Sequence, residues 1–316
     1  MYRQGIAGIL SHPDNWILRE KLIKNFPTPE FKLRSELIAS PLTSNHGVVG
    51  MAFDYIFCKH VRSLNQTNSE SQILRPTVSD FAALVDYILN YPLDVIPLDV
   101  KKKSRFEILR LYNDNFWPLV KKGELSKQNL YKRQMLTDEQ LLEKFERYNH
   151  FIKILYPHHS SSMLKHDIND VKDICALNSI VDNQFFTAKR KCYLSPTFGE
   201  TSVILGGVGD LIIDNTLIDI KTTKKLTLTR EYFNQLVCYY ILNLIGGVNE
   251  NPQEKPIENI GIYFARYGIL WSMPISKLGD SRKFENFRKW FISFLRKKGI
   301  ADLRGIYKQT NTFIHE

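Results

Sequence analysis

The chain has 316 residues, 43% hydrophobic and 24% charged, and its 43 Lys and Arg against 33 Asp and Glu give a formal net charge of +10. That length supplies one large domain or two ordinary ones with a sizeable core. No apolar run reaches the roughly 18 residues that span a bilayer, and the opening MYRQGIAGILSHPDN has no long apolar core followed by a small-residue cleavage site, so a cytoplasmic protein is expected.

The four cysteines, Cys58, Cys175, Cys192 and Cys238, form no CxxC pair. A disulfide framework or structural zinc is therefore not expected, and reduced thiols are. The positive excess makes a polyanion a candidate partner, because neutralised phosphates release counterions. Charge alone does not identify one.

In chain order, residues 1–43 are mixed, with a helical piece around WILREKLIKNF and Pro27 and Pro29 as breakers. Residues 47–63 carry Val49, Ala52, Phe53, Ile56, Phe57 and Val61 at helical spacing. The polar residues 65–72 read as a loop. From Thr77 to about Leu155 helices are expected at DFAALVDYIL (Ser79 or Asp80 capping), SRFEILRLYNDNFWPLVKK and DEQLLEKFERYNHFIKIL. Lys101, Lys102 and Lys103 read as a solvated loop or helix start.

The texture changes after Pro157, where HHSSS reads as a linker. Residues 184–223 are strand-like in three runs, FFTAKRKCYLSPTF, TSVILGGVGDLII and LIDIKTT. A helix over about 229–245 follows, then two short strands in ENIGIYFARYGILWSM around Arg266–Gly268, then a basic helix, SRKFENFRKWFISFLRKKG. The order describes an α/β core behind a mostly helical N-terminal region.

The run GDLIIDNTLIDIK places two acids and a lysine in an apolar hairpin. Asp214-Asn215 suits the turn, because both types tolerate positive φ. With a two-residue loop Ile213 pairs with Thr216, and Asp210 falls opposite Asp219. Their Cβ atoms would lie about 4.5–5.5 Å apart. Lys221 shares their face, while Leu211, Ile213, Ile218 and Ile220 point to the other. Facing like charges destabilise a sheet, and burying an ionised carboxylate costs more still. Two readings stand: a structural Asp–Lys pair beside an exposed Asp, or a divalent-cation site, for which hard oxygen ligands suit magnesium or manganese.

In the next helix Phe233, Leu236, Val237, Tyr240, Ile241 and Leu244 form the apolar stripe, with Thr229 as cap and Gly246 as end. Gln235 and Tyr239, four apart, are neighbours on its flank. Such a pair makes either a rim hydrogen bond or part of a site at the hairpin's end.

Taken together, GGVGDLII, LIDIKTT and QLVCYY resemble the G-x-x-D, D-x-K and Q-x-x-x-Y elements of the PD-(D/E)XK nuclease superfamily, in its RecB-type exonuclease branch. The resemblance covers residues 190–245 firmly. It implies a restriction-endonuclease-like core, a central mixed β-sheet flanked by helices, over 161–316. Residues 1–160 would form the helical region, of which 44–63 is a candidate first helix of the core. It further implies a Mg²⁺- or Mn²⁺-dependent deoxyribonuclease. Asp210, Asp219 and the Ile220 carbonyl would ligate the ion. Lys221 would orient or activate the attacking water and steady charge on the phosphate, and Gln235 and Tyr239 would support the site or touch the strand.

Gly50-Met-Ala-Phe-Asp54 has the shape of the family's upstream element, with Asp54 where His or Glu is usual. Asp54 is thus a metal-ligand candidate as well as an ordinary helix-surface acid, and His46 is a weaker one. With no cysteine after Cys238, no iron–sulfur cluster is expected. No ATP-binding motor motif is present. The stretch from Pro196 through LIDIKTTK is also similar to one in bacterial and phage-borne proteins.

The leading expectation is therefore a metal-dependent nuclease on DNA, single- or double-stranded and exonuclease-like, with a possible protein partner at the N-terminal region. The basic last helix, with Arg282, Lys283, Arg288, Lys289, Arg296, Lys297 and Lys298, either contacts phosphates or is solvated. Trp290, Phe291 and Phe294 read as core. The alternatives are an inactive nucleic-acid- or partner-binding module of the same fold, and a restriction-type endonuclease.

Overall fold

The computed structural model describes residues 5–65, 107, 137–155, 167–199, 207–249, 251 and 257–298. Helices expected in DFAALVDYIL and SRFEILRLYNDNFWPLVKK, and the Lys101–Lys103 run, lie outside the described residues apart from Glu107.

These residues fall into two compact units. One contains residues 5–36 and 182–298 and holds a five-stranded mixed sheet. Its strands are β1 (Cys192–Leu194), β2 (Leu211–Ile213), β3 (Thr216–Lys221), β4 (Asn259–Phe264) and β5 (Ile269–Pro274), in spatial order β1-β2-β3-β4-β5. β3 and β4 are parallel and all other neighbours antiparallel. A parallel pair needs a long crossover, and helix α6 (Arg230–Gly246) supplies it. This unit also holds α1 (Gly5–Ser11), α2 (Trp16–Asn25) and α7 (Ser281–Lys297). The other unit contains residues 37–64 and 137–181, with α3 (His46–Leu64), α4 (Asp138–Leu155) and α5 (Ile168–Ser179). The chain is thus α/β, with seven helices among the described residues.

The boundary differs from one drawn near residue 160. α1 and α2 join the sheet unit because their buried face, Ile6, Ile9, Leu10, Leu18 and Leu22, packs with α6 and α7. Just past α2, Phe26 is fully buried and stacks on Phe284 of α7 at 5.0 Å. The helix over 44–63 belongs to the helical unit, where α3 packs on α5. Its buried residues include Val49, Ala52, Phe53, Ile56, Phe57 and Val61, the spacing the sequence shows.

The β2–β3 turn has two residues. Leu211 pairs with Ile218, Ile212 with Leu217 and Ile213 with Thr216. Asp214 carries the positive φ, 52°. Both faces of this hairpin are apolar, since Ile212 and Leu217, on the acids' face, are as buried as Leu211 and Ile218 opposite. Covering both faces fits a sheet with a β-α-β crossover.

The FFTAKRK stretch is not a strand. Asn183–Phe185 is a 3-10 turn, and the Lys189, Arg190 and Lys191 amides donate to the Asp214 carboxylate at 3.1, 2.7 and 3.2 Å. Amides bound to a carboxylate have left the sheet ladder, so β1 begins only at Cys192. α6 is capped by the Thr229 hydroxyl, which accepts from the Tyr232 amide at 3.3 Å. It ends at Gly246, and the residue with positive φ is Gly247. A Cβ on Gly246 would stand 2.2 Å from the Phe198 carbonyl oxygen, so its glycine serves a close chain approach.

Candidate metal and phosphate site

Asp210 sits just before β2, and its backbone oxygen accepts from the Ser195 amide at 2.9 Å. Its side chain turns to β3: Oδ2 accepts from the Ile220 amide at 2.7 Å. That N–H points towards β2, and the carboxylate takes it where a backbone carbonyl would otherwise serve. Continued past Leu211 and Ile218, the register sets Asp210 opposite Asp219. The two carboxyls lie within hydrogen-bond reach of each other.

Asp219, in the middle of the sheet, is 2% exposed. Its Oδ2 meets Lys221 Nζ at 2.6 Å, an ion-pair contact without aligned hydrogen-bond geometry. Lys221 Nζ also donates to Gln235 Oε1 at 3.1 Å, and Gln235 Nε2 donates to the Tyr239 hydroxyl at 3.1 Å. Tyr239 is buried and its ring stacks on Phe198, centroids 5.7 Å apart. One end of the hairpin and one flank of α6 therefore bring Asp210, Asp219, Ile220, Lys221, Gln235 and Tyr239 together.

Burial pushes the Asp219 carboxyl above the usual range, against the opposing pull of Lys221 and the Asp210 contact. Burial disfavours the Lys221 ammonium too, but Asp219, Asp210 and Tyr232 outweigh it and hold the group protonated. Burial, reinforced by Asp210 and Asp219, drives the Tyr239 phenol upward, so its proton stays on.

With both carboxylates ionised, the cluster of two anions and one ammonium carries a net negative charge in a buried place. A proton or a cation must offset it. Among the described residues no three His, Cys, Asp or Glu side chains gather in a metal-binding group. A hard divalent ion that keeps several waters needs only one or two carboxylates, and the pair made by half-buried Asp210 and buried Asp219 fits that requirement.

No family model, curated protein or solved structure matches the chain. The site's chemistry is accordingly read from its own atoms.

Tyr232 is a member that spacing alone did not single out. Its ring centroid lies 4.9 Å from Lys221 Nζ. The signal was present: Tyr232, Gln235 and Tyr239 follow the i, i+3, i+7 pattern of one helix face. Two other candidates belong to the other unit. Asp54 and His46 are on α3, in the helical unit, where Asp54 Oδ1 accepts from Cys58 Sγ at 3.9 Å and His46 is exposed.

Much of the basic α7 face is engaged within the fold. Lys283 Nζ donates to the Leu278 carbonyl at 2.7 Å, and Lys298 Nζ to the Asp14 carbonyl at 2.9 Å. Arg288 makes a two-pronged pair with Glu285 at 2.8 Å, and Lys289 lies 3.6 Å from the same acid. Phe291 and Phe294 are core, whereas Trp290 is half-buried, stacked on Phe294 at 5.4 Å. The loop after Lys221 differs. Lys224 and Lys225 are exposed while its backbone is pinned: Arg266 Nε donates to the Thr222 carbonyl at 2.7 Å, and the Tyr267 hydroxyl to that of Lys224 at 2.6 Å. None of the four cysteines forms a disulfide, and burial raises Cys175 and Cys238 to about 12. Among the described residues no helix is long and apolar enough to cross a membrane.

Proposed function

We propose that this chain is a metal-dependent nuclease of the PD-(D/E)XK type that hydrolyses DNA phosphodiester bonds in the manner of the RecB-type exonucleases. The observation that carries this reading is the pairing of Asp210 with Asp219 at a buried point where a lysine ammonium already stands 2.6 Å from one carboxylate. A purely structural ion pair would need one acid, not two.

Asp210, Asp219 and the Ile220 carbonyl would hold a Mg²⁺ or Mn²⁺ ion. When bound, that ion would supply positive charge to the phosphate and lower the pKa of a nearby water. Lys221, kept protonated, acts as a charge and hydrogen-bond donor towards the attacking water or the phosphate oxygens. An ammonium has no lone pair, so it is not the base. Gln235 holds it from behind with Oε1, and the Tyr239 hydroxyl accepts from the other end of that amide, which fixes the amide's orientation. Lys224 and Lys225 sit beyond the C-terminal end of β3, where open α/β sheets hold ligands. They are exposed cations a few residues past Lys221, suited to track a phosphate backbone.

The test is incubation of purified protein with linear and closed-circular DNA, single- and double-stranded, with Mg²⁺ or Mn²⁺. Loss of linear substrates alone is the expected result. Cleavage of circles would instead assign endonuclease action. Lys221→Ala should lower turnover by at least about 10²-fold, as removal of a donor to developing charge does, with the protein still folded by circular dichroism. Binding of DNA without cleavage under every condition would overturn the enzymatic reading in favour of a binding module.

A further inference from the structure

We infer that Tyr232 is a positioning residue for Lys221, its ring face holding the ammonium between Asp219 and Gln235. The catalytic consequence rests on the nuclease reading above; the contact itself does not.

A lysine side chain carries large rotamer entropy on four flexible carbons. One ion pair does not fix it in direction. The ammonium has three N–H donors, and three partners stand around Lys221. Asp219 Oδ2 lies at 2.6 Å, Gln235 Oε1 at 3.1 Å, and the Tyr232 ring centroid at 4.9 Å, inside the range over which a ring face attracts a cation. The backbone that carries the ring is held, because Tyr232 occupies the first turn of α6 and its amide is bound by the Thr229 cap. Gln235 and Tyr239 continue the same helix face, so one rigid element sets both the amide and the ring against the ammonium. The ring is the weakest of the three partners and has no competing charge. Tyr232 thereby narrows the directions the ammonium can sample.

Two measurements test this. In proton NMR of the wild-type protein, the Lys221 ε-methylene resonance should be shifted upfield by the Tyr232 ring current. The shift should persist in Tyr232→Phe, which keeps the ring, and vanish in Tyr232→Leu and Tyr232→Met. In the nuclease assay Tyr232→Phe should retain turnover, while Tyr232→Leu and Tyr232→Met lose about 10-fold in kcat, the size of a partly desolvated cation–π contact, with KM unchanged. A wild-type Lys221 resonance without the upfield shift would overturn the proposal. So would kcat in Tyr232→Leu equal to wild type, or Tyr232→Phe as impaired as Tyr232→Leu. If the wild type cuts no DNA, the nuclease reading falls and the ring-current measurement alone decides whether Tyr232 positions Lys221.

Discussion

A single side chain, Asp214, joins the hairpin turn to the segment before β1. Its carboxylate accepts three consecutive backbone amides, from Lys189, Arg190 and Lys191. Desolvation raises its pKa, but those three bonds and the Arg190 charge outweigh it and hold the group below the usual carboxylate value. The sign follows. A depressed folded pKa contributes stability that is present above the unfolded value of about 3.9 and is lost as pH falls through the lower folded value. Asp214→Asn keeps a residue that tolerates the φ of 52° and removes the charge. It should cost about 1 kcal/mol at pH 7, discounted for solvent contact. The difference from wild type should close as urea melts are taken below about pH 3. A gap of equal size at pH 7 and pH 2.5 would show that the carboxylate charge does not matter. Asp219 has the opposite sign. Its raised carboxyl makes the site less costly when protonated, so this acid lowers stability as pH rises, unless a cation takes the proton's place.

The elements divide by how far local rules determine them. The β2–β3 hairpin was legible because a turn dipeptide, alternation and one register leave a single way to pair the strands, and that register set the acids opposite each other. α6 was legible from its cap, stripe and polar flank. The FFTAKRK run was not, because its strand-like composition is overruled by the Asp214 carboxylate, a contact 23 to 25 residues away. No element was expected at α5, although Asp167 and Asp170 form a capping box and Val171, Ile174 and Leu177 are buried at helical spacing. The attachment of α1 and α2 to the sheet unit depends on packing far along the chain, which periodicity cannot report. The loop after β3 gives the prediction at this scale. Replacing both Lys224 and Lys225 with Ala should weaken DNA binding and reduce the slope of log affinity against log salt by about 1.4 to 1.8, since each phosphate contact contributes roughly 0.7 to 0.9. Turnover at saturating DNA should not change. An unaltered slope would move the phosphate track elsewhere.

Across the molecule, the charge balance has two parts. The protein as a whole is positive by 10, which favours approach of a polyanion. The site is a local exception, a buried cluster whose two carboxylates outweigh its one ammonium. A phosphate would be repelled there unless a cation reversed the local sign, so on the proposed nuclease reading substrate attraction and chemistry would both depend on the same ion. The most direct measurement is Mn²⁺ binding by titration calorimetry near pH 8. The wild-type protein should bind one ion per chain at a site lost in both Asp210→Asn and Asp219→Asn, each variant remaining folded. Equal Mn²⁺ binding by wild type and both variants, or none by any of them, would contradict a cation shared between these two carboxylates.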